Sequence, residues 1–107
     1  MNRYIIIFIT AGSSEEAEKI GKGLVENRLT ACVNIIPSIR SIYEWEGKVC
    51  DEKEILLIAK SREDLFREIV EWVKKNHSYK VPEIIALPIP LGSEDYLNWI
   101  DEVCRSN

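Results

Sequence analysis

The stretch TACVNIIPSIRSIYEWEGKVCDEKEILLIAK, residues Thr30–Lys60, decides how the chain folds. Its first half carries Val33, Ile35, Ile36, Ile39, Ile42, Tyr43 and Trp45, β-branched and aromatic side chains that suit a pleated surface. Its second half closes on the apolar run Ile55-Leu56-Leu57-Ile58-Ala59. Gly47 between them supplies the permissive backbone of a tight turn, so the stretch reads as a long hairpin of two strands, Ala31–Glu46 and Lys48–Ala59. An arm of about 13 residues at ~3.3 Å each reaches roughly 43 Å. A compact domain of this size is only roughly 34 Å across. The hairpin should therefore outrun its own core. Tyr43 and Trp45 near its tip either cover a local helix or meet a second copy of the chain, and the length of the arm favours the second copy.

The flanking segments supply the rest of a sheet and its helices. Residues Arg3–Ala11 are apolar on both faces and predict a central strand rather than a signal-peptide core, because helix-starting chemistry follows at once. Ser13 with Glu16 forms a capping box that opens a helix over Ser14–Arg28 on Ala17, Ile20, Leu24 and Val25, and Gly21 within it predicts close packing against the sheet. Pro37 cannot donate to a ladder, which predicts a bulge or an edge position in the first hairpin strand. Ser61 with Asp64 reads as the cap of a second helix carrying Leu65, Phe66, Ile69, Val70 and Val73 to about His77. A fourth strand lies within Val81–Pro90, and Gly92-Ser93 opens a last helix on Tyr96, Leu97, Ile100 and Val103. The order βαββαβ plus a C-terminal helix is an α+β, ferredoxin-like split βαβ arrangement: one domain over residues 1–107, with an antiparallel four-stranded sheet and two helices on one face. That fold hosts many unrelated functions.

A net charge of −4, with no basic run, argues against nucleic acid or an anionic membrane as the partner. No segment approaches the ~20 apolar residues that a membrane span needs. Cys32, Cys50 and Cys104 are an odd, widely spaced set without a CxxC pair, which predicts three free thiols in a reducing cytoplasm. There is no phosphate-cradling glycine loop and no arginine in the loop after the first strand, and nothing places His77 beside a serine or cysteine nucleophile. The chain reads as a binding protein rather than an enzyme.

His77 is the single histidine, and it sits where a helix ends. Its imidazolium could meet the helix dipole there, or its ring could serve as a metal ligand. The loop His77-Ser78-Tyr79-Lys80-Val81-Pro82-Glu83 gathers an imidazole, a phenol and a carboxylate, while Asp51, Glu52 and Glu54 form either a solvated face of the hairpin or further ligands. One histidine per chain cannot make a transition-metal site alone, so it needs a thiol, carboxylates or a second subunit.

The segments Ala31-Cys32-Val33-Asn34-Ile35-Ile36-Pro37, Ser41-Ile42-Tyr43-Glu44-Trp45-Glu46-Gly47-Lys48, Pro82-Glu83-Ile84-Ile85 and Tyr96-Leu97-Asn98-Trp99-Ile100 resemble the CutA family of divalent-cation tolerance proteins, in order and spacing over essentially the whole chain. The resemblance implies a homotrimer of ferredoxin-like subunits joined by strand pairing of the hairpins, and a role in copper or divalent-metal tolerance. No cofactor is required; divalent metal, with copper the leading candidate, would bind weakly in intersubunit clefts. Carried over by position, His77 is the remaining ligand candidate, and Cys32 matches the cysteine of the family's Ala-Cys-Val-Asn motif, as a ligand or simply as a core thiol of its apolar strand; Glu83 with Asp51 or Glu52 are the companions that the residues themselves suggest for His77. Tyr79 and Lys60 would shape the pocket, and Tyr43 and Trp45 the trimer interface. The sequence departs from the family pattern at Ser78 and Lys80, which replace a proline and a glutamate of the usual loop, and at Ile9 and Asn76, where some relatives carry a cysteine and a second histidine. A reading of another class is a metal-independent signalling or scaffold trimer, similar to nitrogen-regulatory signal proteins. It would bind a small anion through Lys48, Lys60, Lys80 and Arg40, or an unidentified protein partner.

Overall fold

The computed structural model describes residues 3–106. Strand β1 (Tyr4–Ala11) leads into helix α1 (Ser14–Glu26), then the hairpin of β2 (Cys32–Trp45) and β3 (Lys48–Arg62). A 3-10 turn (Glu63–Leu65) opens helix α2 (Phe66–Asn76), followed by β4 (Ile84–Pro88) and helix α3 (Glu94–Val103). The strands form one sheet in the order β2-β3-β1-β4, with every neighbouring pair antiparallel. β3 lies between β1 and β2, which is the split βαβ arrangement expected from the element order.

The pleat sorts the sheet's residues onto two faces. Ile5, Ile7, Ile9 and Ala11 stand opposite Ser61, Ala59, Leu57 and Ile55, and all are buried together with Ala17, Ile20 and Leu24 of α1 and Ile69 and Val73 of α2. Residues of the intervening register, Ile6, Phe8, Leu56 and Ile58, turn the other way and are only half-buried, with Ile85 and Leu87 of β4 more exposed still. Helix α3 crosses one end of this second face, where the Tyr4 hydroxyl donates to Asp101 at 2.5 Å. The remainder is an open apolar surface.

The hairpin behaves as its composition requires. Glu46 (φ 51°) and Gly47 (φ 82°) both take left-handed backbone between the paired residues Trp45 and Lys48, a two-residue turn whose twist matches the strands it joins. The register slips between Ile36 and Ile39, around Pro37. The arm gives the molecule a long axis of 44 Å against 25 and 22 Å across, and leaves Ile42, Tyr43, Trp45 and Val49 exposed toward its tip.

Several expectations shift by local chemistry. β3 continues through Arg62, so Ser61 is no helix cap: it is a fully buried strand residue whose hydroxyl donates to the Leu29 carbonyl at 2.6 Å. α1 ends at Glu26, two residues early, because Arg28 adopts φ 58°. The Leu29 amide then returns to the Leu24 carbonyl and the Arg28 amide to Val25, closing a Schellman motif with Leu24 and Leu29 both buried. Gly21 packs against the sheet as expected, a Cβ there standing 3.4 Å from Val33, while the tighter glycine of α1 is Gly23, where a Cβ would lie 2.2 Å from the Trp72 ring.

Candidate functional site

The segment after α2 folds back over the end of β1, and its polar ties define a cleft. Ser13 Oγ accepts from the Glu16 amide, as a capping serine should. The Glu16 carboxylate spans to the other segment, accepting from the Ser78 amide at 2.8 Å and hydroxyl at 3.1 Å. Burial alone would raise the Glu16 carboxyl, but these two bonds and the Gly12 amide outweigh it and hold the group below its ordinary range.

His77 lies beneath this segment, its side chain without exposed surface. Nε2 is 2.7 Å from the Thr10 carbonyl oxygen, which can only accept, so Nε2 carries the proton. Nδ1 accepts from the Tyr79 amide at 3.0 Å. Both nitrogens of a neutral ring are thus engaged. Two residues on, the Tyr79 ring packs over Gly12, where a Cβ would stand 3.0 Å from the hydroxyl. That hydroxyl donates to Glu54 at 2.7 Å. Burial, then the bond to Glu54, holds the phenol protonated well above its usual range.

Glu54 and Glu83 belong to one cleft of about 700 Å³, walled by Tyr43, Trp45 and Tyr79. Glu54 forms its floor at 6% exposure, while Glu83 stands at the exposed rim just before β4. Packing against one side of Glu83, and then the charge of Glu54, raise its carboxyl above the ordinary value. Lys80 adds the cleft's one ammonium among the described lining residues. At the arm, Tyr43 donates to Glu52, which pushes the phenol up to about 12.

The other expected site residues lie apart. Asp51 is held by Arg40 through bonds of 2.8 and 2.5 Å, and it sits on the opposite pleat from Glu52 and Glu54. Lys60 does not line the cleft. It is six positions from Glu54 along β3, roughly 20 Å at the strand rise, and donates to Asn34. Cys32 is paired with Lys60 in the ladder, at the same distance from the cleft, with its thiol toward Asn34. Lys48, Lys60, Lys80 and Arg40 are likewise scattered, so they build no common anion site within one chain. Glu54 is the hairpin acid that sequence reasoning weighed beside Asp51 and Glu52 but did not choose as a companion of His77, and it is the one of the three that lines the cleft. Its signal was position: a charged residue abutting the run Ile55–Ala59 is carried into the sheet by its neighbours. Among the described residues no three histidine, cysteine or acidic side chains are grouped to hold an ion.

A family model described as CutA1 divalent ion tolerance protein matches residues 5–103. The divalent-cation tolerance protein CutA of Thermus thermophilus is 48% identical over 97 residues, 91% of this chain and 94% of that protein. The chloroplastic protein CutA of Arabidopsis thaliana is 46% identical over 102 residues, 95% of this chain, but the chain spans only 56% of that longer protein. The crystal structure of CutA1 from Oryza sativa superposes with a TM-score of 0.95 at 43% identity, covering 98% of this chain and 96% of the other.

Proposed function

The chain belongs to the CutA1 divalent ion tolerance family, and on that premise we propose that it binds a divalent cation as a homotrimer, with the ion held where a neighbouring copy meets the cleft. The observation that carries the reading is the pair Glu54 and Glu83, which line one cleft together with Tyr79. Two carboxylates facing one cleft gain from a shared dication, which relieves their repulsion and replaces lost water with coordination. One chain supplies only part of a coordination shell. A second copy laid against Tyr43 and Trp45 would close the cleft and add donors.

Assembly is supported by the arm and by the uncovered sheet face. An apolar surface including Ile36, Ile85 and Leu87, each more than a third exposed, is more than a soluble chain ordinarily leaves to water. A neighbour covering it would bury upwards of ~1,000 Å². The donors are oxygens, which suit hard and borderline ions and give weak hold on copper, whose preference is for nitrogen and sulfur. The role is sequestration rather than catalysis, in the cytosol, where the three free thiols Cys32, Cys50 and Cys104 stay reduced.

Calorimetry of the purified protein with zinc, copper, ATP and phosphate tests the reading. Saturable heat with the two metals, and none with phosphate or metal-free ATP, is expected. The reverse pattern would establish the anion-binding scaffold instead.

A further inference from the structure

The loop that presents Tyr79 and Glu83 to the cleft is tied down at both ends. Glu83 is fixed by its neighbour Ile84, which pairs with Ile9 in the sheet. The other end depends on His77. Its ring bridges two backbones: Nε2–H reaches the Thr10 carbonyl on β1, and Nδ1 takes the Tyr79 amide. An ion at Nδ1 would have to displace that amide, and an ion at Nε2 would have to displace the proton and the Thr10 carbonyl. Either change withdraws the support beneath Tyr79, whose hydroxyl is the partner of Glu54. Glu16 Oε1 is 3.9 Å from Nδ1, but that carboxylate is already taken by the Ser78 amide and hydroxyl.

We propose that His77 is a positioning residue of the ion cleft and not a ligand: its neutral ring latches the loop to β1 and so places Tyr79 against Glu54, leaving the carboxylates to meet the ion. The consequence for ion binding rests on the divalent-cation reading; the latch itself does not. The role also accounts for a histidine whose side chain has no exposed surface while its two partners, Thr10 and Tyr79, both line the cleft. A ligand needs a lone pair facing the space that the ion occupies, and neither nitrogen has one.

Copper loaded into the assembled, tag-free protein gives a direct test by pulsed electron paramagnetic resonance. A coordinated imidazole leaves a remote-nitrogen modulation, and His77 is the only histidine in the chain, so the assignment has no competitor. No imidazole modulation is expected; its appearance overturns the proposal. Substitution gives a second arm. His77→Gln keeps one N–H donor and one acceptor at a spacing close to that of the ring, yet offers no imine nitrogen to a metal. Zinc affinity near wild type is expected for His77→Gln, and a roughly 10–100-fold loss for His77→Ala. Equal loss in both variants overturns the latch. Should wild type bind neither metal, the divalent-cation reading falls, and nitrogen-resolved NMR of the metal-free protein still decides the latch. Nδ1 should be unprotonated, and the Tyr79 amide should shift in His77→Ala and not in His77→Gln. A protonated Nδ1, or an amide indifferent to both changes, refutes it.

Discussion

Tyr79→Phe removes one atom from the wall of the cleft and should be felt both in stability and in binding. The ring stays, over Gly12, so the lost contact is the 2.7 Å bond to Glu54. Glu54 is 6% exposed, which leaves water little access to the oxygen that loses its donor. A hydrogen bond to a charged group contributes about 1.5–3 kcal/mol, so a cost near ~2 kcal/mol is expected. At roughly 4–8 °C per kcal/mol for a domain of about this size, the melting midpoint should fall by ~10 °C. Urea denaturation at fixed protein concentration is the cleaner assay, because assembly also stabilises the fold. Repeating the change in a Glu54→Gln background isolates the pair, since the amide oxygen still accepts but carries no charge. A coupling of ~1 kcal/mol or more between the two positions is expected. Equal midpoints for Tyr79→Phe and wild type, in both backgrounds, would refute the claim that Tyr79 is anchored through Glu54.

Other perturbations probe separate parts. Tyr43→Ala with Trp45→Ala should weaken assembly by ~2 kcal/mol or more per ring if these side chains anchor a neighbouring copy, read by sedimentation over a dilution series; unchanged dissociation would place them outside the interface. The Glu16 carboxyl is held low in the fold, so its contribution is complete above its unfolded value of 4.5 and is lost as the pH falls through the lower folded value. Glu16→Gln should thus be less stable than wild type at pH 7, with a gap that narrows on acidification below 4.5. Glu83 has the opposite sign: its raised carboxyl disfavours the charged form, so Glu83→Gln should be no less stable than wild type at neutral pH while losing affinity for the ion. Gly23→Ala should destabilise by ~1–2 kcal/mol, overpacking against Trp72 exceeding the helix preference of alanine, whereas Gly21→Ala should be neutral or stabilising.

The fold was legible where periodicity and turn chemistry agree. The alternating hairpin, its Glu46-Gly47 turn, the slip at Pro37 and the two-sided apolar strand β1 all follow from side-chain type and spacing. Ser61 was misread because a serine before an acidic residue looks the same in a strand as at a cap. Its hydroxyl finds its buried partners far along the chain, in the Leu29 carbonyl 32 positions earlier and the Cys104 thiol 43 positions later. The same limit governs the site. His77, Tyr79 and Glu83 are close in sequence, so their common neighbourhood could be inferred, but the direction of the ring depends on Thr10, which is 67 positions away. Asp51 and Glu52 look equivalent as a string, and the pleat then sends one to Arg40 and the other to Tyr43. Long-range hydrogen-bond partners decide chemistry, and no local pattern specifies them.

The proposed binding of a divalent cation by Glu54 and Glu83, in a cleft completed by a second copy, is open to direct measurement. Its most direct measurement is zinc titration of the assembled protein and of Glu54→Gln with Glu83→Gln, with the oligomeric state of both followed by sedimentation at the same concentration. The expected result is one saturable site per chain in a trimeric wild type, and its loss in a variant that remains a trimer. Unchanged zinc affinity in that variant, or full affinity in a wild-type monomer, would contradict it.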